Sequence, residues 1–352
     1  MRKLASIQAV NAVEPIPNAD AIERVRVLGW WVVCKKGEFQ PGDPVVYCEI
    51  DCLLPELPPF EFLRKSCFKP VIVQGGQEVQ RAGFRIKTVR LRGQVSQGIC
   101  FPLGILPSGM PTEVGTDVTD ALGIIKHDPP LPASLSGKVK GPFPGFIPKT
   151  DETRVQVLEG VLLRNRGRTF HVTEKLDGSS FTAFWRDGAF GVCSRNLLLD
   201  EADESHGFVK LALRLDLPAK LAGVRERHGF DLAIQGEAIG PGIQGNRYAR
   251  KEIELRVFTL FDISGHRLLS RDESLALVAE LGLSAVPDLG TLELDHGVDE
   301  LVEYAAGPSV LNPLVPREGV VLRPPTEEID PDLGGRLSFK VINPQFLLKF
   351  DE

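Results

Sequence analysis

A lysine followed closely by an aspartate and a glycine, at Lys175, Asp177 and Gly178, is the feature of this sequence with the clearest chemical potential. A lysine side chain can act as a nucleophile, and nearby carboxylates can bind a metal ion that withdraws charge from a phosphate. Taken alone, the motif is also typical of a strand that ends in a tight turn, because Asp-Gly suits such turns. Five polar or aromatic motifs follow it in order, at 194–196, 235–237, 258–263, 317–321 and 338–341. The presence of these five further motifs in this order favours a reactive site over a simple turn.

In this order the motifs resemble those of the covalent nucleotidyltransferases, which are the polynucleotide ligases and the mRNA capping enzymes. The resemblance implies that Lys175 attacks the α-phosphorus of ATP, which forms lysyl-AMP and releases pyrophosphate. A free lysine has a pKa near ~10.4, so its neighbours must favour loss of its proton. The resemblance further implies that Asp177, Glu237 and Glu318 hold a hydrated Mg²⁺ or Mn²⁺ ion, through water, and that Lys340 contacts the α-phosphate.

The same resemblance implies a nucleotide pocket. Its cofactor-binding residues would be Glu174, Lys175, Arg195, Glu237, Phe261, Val320 and Lys340. Phe261 would stack on adenine with Val320 in the opposite wall, while Arg195 and Glu237 would contact the ribose or a phosphate. From the residue types alone, a phenylalanine in a strand is more often a core residue, and Arg195 would be a surface charge.

The elements that must position these residues fall into two regions. We predict an α+β protein, with an N-terminal OB-type β-barrel over 1–128 and a nucleotidyltransferase (adenylation) domain of antiparallel sheets and flanking helices over 151–352. Between them, 129–150 contains six prolines and three glycines, which are expected to block both helix and strand pairing and to form a linker. Helices are predicted at 204–215, at 270–281, where Ser270 begins a capping box, and at 298–306.

The charge distribution gives two opposite indications. Lys and Arg number 41 and Asp and Glu 47, and the net charge of −6 argues against a polynucleotide partner. Nine of the acids and no Lys or Arg lie in 272–303, whose helices we expect to face away from bound nucleic acid. A basic stripe that would contact phosphates consists of Arg81, Arg85, Lys87, Arg90 and Arg92. On a strand, Arg85 and Lys87 would share one face, as would Arg90 and Arg92, although such charges equally protect an exposed strand edge from aggregation.

The order of the two regions indicates which group of these enzymes the chain resembles. The barrel-like region precedes the lysine motif and only a short tail follows Lys340, so the whole chain resembles the Deinococcus-type (type 5) ATP-dependent RNA ligases. The resemblance implies a role in RNA repair, in which the enzyme seals nicks with an RNA 3′-OH end in duplex RNA or RNA/DNA hybrids. AMP would pass from the lysine to the 5′-phosphate before the 3′-OH displaces it. The sequence departs from the family pattern at Ser180 and Ile342, where RNA ligases can carry asparagine and lysine.

Two other functions stay open from the sequence. One is a GTP-dependent capping-type transferase, and the other is a nucleic-acid-binding protein without catalytic activity. The sequence shows no signal peptide and no apolar run long enough to cross a bilayer, which predicts a cytoplasmic protein with no membrane partner. No obligate protein partner is indicated. The six cysteines lack metal-ligand spacing and are expected to be reduced core residues.

Overall fold

A computed structural model of the chain describes residues 3–74, 77–127 and 137–350. The chain forms two compact units. The first unit comprises 1–130, 156–159 and 344–352, and the second comprises 131–155 and 160–343. Three of the six prolines in the predicted linker, Pro129, Pro130 and Pro132, lie outside the described residues.

The first unit is built mainly from short antiparallel strands. Its described strands are β1 Ala5–Pro15, β2 Ile22–Val27, β3 Trp30–Lys35, β4 Pro44–Cys48, β5 Cys52–Leu54, β6 Phe68–Lys69, β7 Ile72–Gln74, β8 Gln77–Gln80, β9 Gly83–Arg85, β10 Val89–Leu91, β11 Gln94–Ser96, β12 Ile99–Pro102 and β13 Ile125–Lys126, with a short helix α1 Arg64–Cys67. Five of these strands form a curled sheet in the order β12-β4-β1-β2-β3. Its inner face buries aliphatic and aromatic side chains such as Val25, Trp30 and Tyr47. This sheet confirms the predicted OB-type domain.

The second unit combines two antiparallel sheets with flanking helices, as predicted. Its described elements are β14 Val139–Pro142, β15 Thr153–Arg154, α2 Glu159–Arg164, β16 Thr169–Lys175, β17 Ser179–Arg186, β18 Ala189–Cys193, β19 Leu197–Leu199, α3 Gly207–Arg214, α4 Leu217–His228, β20 Leu232–Ile239, β21 Glu254–Asp262, β22 Arg267–Leu268, α5 Arg271–Glu280, β23 Ser284–Ala285, β24 Asp288–Glu293, α6 Val298–Tyr304, β25 Gly319–Arg323, β26 Ile329–Asp330, β27 Gly335–Arg336 and β28 Phe339–Ile342. A further helix, α7 Pro344–Phe350, belongs to the first unit.

Strand order in the second unit determines which residues can meet. The larger sheet runs β14-β19-β18-β17-β20-β21-β22, with β23 pairing with β21, and the smaller one runs β15-β28-β25-β16-β24. Side chains of α3 and α4, such as Leu211 and Val224, pack with Phe181 and Ile234 of the larger sheet in the main core. Ser180, Thr182 and Glu237 lie on the other face of β17 and β20, because successive strand residues alternate between faces.

One prediction about the chain's organisation is wrong. The segment 129–150 was expected to avoid strand pairing, yet Val139–Pro142 forms an edge strand that pairs with β19. Proline is compatible with such an edge, because its missing N–H can face away from the ladder. The helices of the acid-rich segment 272–303 are still predicted to face away from bound nucleic acid, while its strand β24 pairs with β16, with Asp288 opposite Thr173.

Two further observations concern membrane-spanning helices and the state of the cysteines. Within the described ranges, no helix is both long and apolar enough to cross a membrane. All six cysteines are free thiols, four of them buried and two, Cys34 and Cys67, partly buried.

Candidate active site

Lys175 is the last residue of β16, a strand that lies between β25 and β24 in the smaller sheet. Alternate residues Phe170, Val172 and Glu174 point into the core, so Lys175 faces the accessible side. Its direct neighbour on β25 is Gly319, which leaves space for the lysine side chain. A Cβ atom on Gly319 would lie 2.2 Å from the carbonyl oxygen of Val341, so the close approach of β25 and β28 requires glycine here.

Carboxylates surround the lysine amine. The Nζ atom of Lys175 donates a hydrogen bond to Oε1 of Glu318 at 2.6 Å, and both side chains are largely buried. Glu237 and Asp177 contribute further negative charge at the same amine. Gly178 allows the turn after Lys175 to lie against β20, because a Cβ atom there would be 2.3 Å from the carbonyl oxygen of Ala238. The structure therefore brings together Lys175 and the three predicted metal-binding carboxylates.

The charges of this group perturb one another. Burial lowers the pKa of Lys175, but the nearby carboxylates of Glu318, Glu237 and Asp177 outweigh it and raise that pKa above its ordinary value. Burial also raises the pKa of Glu237 to about 8, opposed by Lys175 and reinforced by Glu318 and Asp177. Among the described residues, Oε2 of Glu318 is buried without a hydrogen-bond partner. Carboxylate oxygens are the ligands that Mg²⁺ prefers, so three carboxylates around one amine suit a divalent cation.

The same carboxylates are too far apart to bind a bare metal ion together. Within the parts of the chain that the structure describes, no three His, Cys, Asp or Glu side chains are close enough to ligate one ion. Mg²⁺ usually keeps several of its waters, and those waters can bridge to carboxylates that do not touch the ion. A hydrated ion held through water, by Asp177, Glu237 and Glu318, therefore stays a prediction.

Lys340 lies on the same face of the smaller sheet as Lys175. Thr173 on β16, Val321 on β25 and Lys340 on β28 are directly opposite one another across the three strands. Since Thr173 and Lys175 are two residues apart on one strand, their side chains share a face, and Lys340 shares it with them. Two lysines and the three carboxylates are thus present on one side of the site.

Two of the predicted nucleotide-binding side chains, those of Val320 and Glu174, do not reach that face. Val320 is completely buried opposite Glu174, on the other side of the sheet, and its neighbour Val321 faces Lys175 instead. The carboxylate of Glu174 also points away and accepts a hydrogen bond from the backbone N–H of Val310 at 2.8 Å. Phe261 is only 3% exposed and packs with Phe184, but it lies opposite Ala233, on the same face of the larger sheet as Glu237. Arg195 is exposed after β18, where it forms an ion pair with Asp151 at 2.5 Å.

The predicted basic stripe is not one strand face. Arg85 ends β9, is buried and lies 3.7 Å from Asp51, whereas Lys87 follows outside any strand. Arg90 is on the separate strand β10, where its guanidinium donates to Gln345 at 2.6 Å. Arg92 occupies the turn after β10 with a φ of 50°, so it does not share a strand face with Arg90. The guanidinium of Arg81 donates to the backbone carbonyl of Gly123.

Two residues near Lys175 were not predicted from the sequence. Arg247 forms an ion pair with Asp177, and the hydroxyl oxygen of Tyr248 accepts a hydrogen bond from the backbone N–H of Asp177 at 2.7 Å. Both lie in the loop after β20, in which Gln244, Asn246 and Ala249 have positive φ angles. The signal that could have found them is the turn-rich run at 240–246, directly after the Glu237 motif.

Comparisons with known proteins agree with this geometry. A profile described as RNA ligase matches residues 168–342, and one described as an OB-fold domain matches 4–103. A Naegleria gruberi RNA ligase variant without ligand is 39% identical, with a TM-score of 0.88 over 99% of this chain and 98% of that one. A second variant of that ligase, with ATP and Mn, has the same identity and TM-score and covers 99% of both chains. The ligase with PPi is 40% identical, with a TM-score of 0.87 over 100% of this chain and 99% of that one. No curated protein sequence matches the chain.

Proposed function

The chain belongs to the RNA ligase family, and from this premise we propose that it joins RNA ends through a lysyl-AMP intermediate formed from ATP. The observation that carries the proposal is the contact between Lys175 and Glu318, with Asp177 and Glu237 beside it. The solved Naegleria ligase variants support it, because they replace an aspartate, lysines and glutamates, the residue types gathered here.

The first step would use the amine of Lys175 as nucleophile. Its carboxylate neighbours keep the amine protonated in the free protein, so the proton must leave before Nζ attacks the α-phosphorus of ATP. The new N–P bond forms as the bond to pyrophosphate breaks. Lys340, on the same sheet face, is positioned to stabilise the negative charge that develops on the phosphate oxygens.

A divalent metal ion fits this site as a second requirement. Asp177, Glu237 and Glu318 would hold a hydrated Mg²⁺ or Mn²⁺, since carboxylate oxygens suit these ions and one oxygen of Glu318 has no hydrogen-bond partner among the described residues. When bound, the ion would withdraw charge from the phosphate and orient the leaving group. The carboxylates themselves hold Lys175 in place throughout.

For the substrate we propose a nicked duplex with RNA at the 3′-OH end, in RNA or RNA/DNA hybrid, and a role in cytoplasmic RNA repair. AMP would pass to the 5′-phosphate, and the 3′-OH would then displace it to form the phosphodiester. In this proposal, the adenylation domain at 151–352 carries the chemistry. The domain at 1–128, which the linker at 129–150 joins to it, contacts the duplex.

The direct test is incubation of the protein with labelled ATP and Mg²⁺ or Mn²⁺. We expect covalent label on the wild-type protein and none on Lys175→Ala, because alanine has no nucleophile. Lys220→Ala, at a lysine on the distant helix α4, serves as the matched control and should be labelled like the wild type. Labelling by GTP in preference to ATP, or label retained by Lys175→Ala, would contradict the proposal. A panel of nicked duplexes with ribonucleotides on either side of the nick then tests the substrate.

A further inference from the structure

An aromatic side chain between two arginines lies on the outer face of the OB-type sheet. The guanidinium carbon of Arg24 is 4.2 Å from the ring centroid of Trp31, and that of Arg26 is 5.0 Å from it. The preceding residue, Trp30, is buried inside the barrel, so strand alternation turns Trp31 outward. The ring is partly exposed, and both guanidiniums lie within cation–π distance of it.

Further cationic side chains are placed beside this stack. Lys35 is exposed and is on the same face of β3 as Trp31, four residues further along. On the other side, the β10–β11 hairpin lies against β3, because the backbone N–H of Gln97 donates to the carbonyl oxygen of Trp31 at 3.0 Å. The side chain of Gln94 accepts from Arg24 at 2.7 Å, and the exposed Arg92 is at the hairpin turn.

Three glutamates have ion pairs or hydrogen bonds with residues on or beside this surface. Glu14, on β1, pairs with Arg24 at 2.5 Å. Glu38 accepts a hydrogen bond from the backbone N–H of Lys35 at 3.0 Å, and Glu23 accepts one from Gly37 at 2.8 Å at the end of the hairpin. Arg24, Arg26 and Trp31 therefore form one cluster, in which Glu14 pairs with Arg24, and the exposed cations Lys35 and Arg92 belong to the same strand and to the adjoining hairpin.

We infer that this surface, formed by Arg24, Arg26, Trp31, Lys35 and Arg92, binds the phosphate backbone of the RNA substrate. The inference rests on the proposed function, which supplies the polynucleotide. A ring face covered by a guanidinium is closed to a nucleobase, which favours phosphates over unstacked bases as the contact. A guanidinium is planar and can bind two phosphate oxygens at once, which suits phosphate recognition.

The test measures binding of a labelled nicked RNA duplex to the full-length protein by fluorescence anisotropy at several salt concentrations. We expect Arg26→Ala to weaken binding about fivefold and to lower the salt slope by about one, since one phosphate contact is lost. Trp31→Ala should weaken binding similarly, and Trp31→Phe should restore most of it because a ring remains. Glu14→Gln should strengthen binding, since it removes a negative charge while keeping a hydrogen-bond acceptor for Arg24.

The matched control is Arg186→Ala, because Arg186 stacks on Phe146 at 4.2 Å in the second unit and is also an arginine over an aromatic ring. It should bind the duplex as the wild type does. Folding of each variant is checked by its melting temperature. Wild-type affinity in Arg26→Ala and Trp31→Ala would overturn the inference alone. If the wild-type protein takes no label from ATP, that result contradicts the proposed function instead. The binding measurement can be made whether or not the protein takes the label, so the two failures are distinguishable.

Discussion

The protonation of Glu237 links the chemistry of the site to the stability of the protein. Burial, with Glu318 and Asp177 nearby, raises its pKa from the ordinary value of 4.5 to about 8, despite the opposing charge of Lys175. Between these two pH values the folded protein binds a proton that the unfolded chain does not. The free energy of unfolding therefore falls as the pH rises through this window.

We predict that the melting temperature of the wild-type protein in metal-free buffer decreases from pH 5 to pH 8 by about 2 °C or more beyond that of Glu237→Gln. Glutamine is neutral at every pH and removes this contribution. Thermal unfolding of both proteins at the two pH values checks the prediction. Parallel pH dependence in the two proteins would show that Glu237 is ionised in the fold throughout.

Arg247 is a positioning residue for Asp177. Its guanidinium pairs with the Asp177 carboxylate two residues after the nucleophile, while the neighbouring Tyr248 holds the Asp177 backbone. We predict that Arg247→Ala slows labelling by ATP by about 10- to 100-fold, because small displacements of groups around a reacting centre are costly. The effect should be non-additive with Asp177→Ala, since both changes break one pair.

The control for Arg247→Ala is Lys251→Ala, an exposed cation on the same loop, which should react at the wild-type rate. Single-turnover labelling at saturating ATP separates a slower chemical step from weaker nucleotide binding. Independent, additive effects of the Arg247 and Asp177 changes would contradict the pairing as the cause.

At the scale of elements, the turn after Lys175 depends on the absence of a side chain at Gly178. A methyl group would meet the Ala238 carbonyl oxygen at 2.3 Å and the Glu237 side chain at 2.8 Å. We predict that Gly178→Ala destabilises the protein by about 1–3 kcal/mol and slows labelling more than tenfold, because β20 must shift. Gly335→Ala is the control, as a methyl group there meets nothing within 4 Å. Denaturant melts and labelling rates report the two effects, and wild-type values for Gly178→Ala would exclude the close packing.

Elements with local signals could be predicted from the sequence. Helix α5 begins after Ser270 with the predicted capping box, in which Ser270 and Glu273 bond each other's backbone N–H. Helix α4 was missed, although Asp216 before it, Pro218 in its first turn and Gly229 after its end are typical boundary residues. The run from Arg85 to Leu91 was predicted as one strand but is divided between β9 and β10, since Arg85 is held inward by Asp51.

The site was predictable in its residue types and less so in its geometry. The motif order identified Lys175, Asp177, Glu237 and Glu318, which the fold gathers from three separate stretches of chain. It did not determine which of two adjacent valines faces the lysine, because that depends on the register of β25 against β16. The pairing of β24 with β16 joins segments more than a hundred residues apart, which local patterns do not encode.

At the scale of the whole molecule, the acid-rich segment is compensated by arginines from its surroundings. Asp288 pairs with Arg271 at 2.5 Å, and Glu280 pairs with Arg227 at 2.9 Å. Asp295 similarly pairs with Arg166. Such exposed pairs contribute little to stability, but they limit the field that this segment projects. The net charge of −6 is thus a poor guide to the local charge that a polynucleotide would meet.

This charge arrangement predicts that the steps of the reaction differ in their response to salt. Labelling by ATP takes place at the largely buried Lys175, whereas duplex binding would use exposed cations. Raising the salt from about 50 mM to about 200 mM should weaken duplex binding by about 10- to 100-fold, as expected for two to four phosphate contacts, and should change labelling by less than about twofold. Anisotropy with a nicked RNA duplex and single-turnover labelling, both in the same buffers, make the comparison. Equal salt sensitivity of the two steps would contradict an electrostatic role confined to the duplex, because screening acts on exposed charges far more than on buried ones.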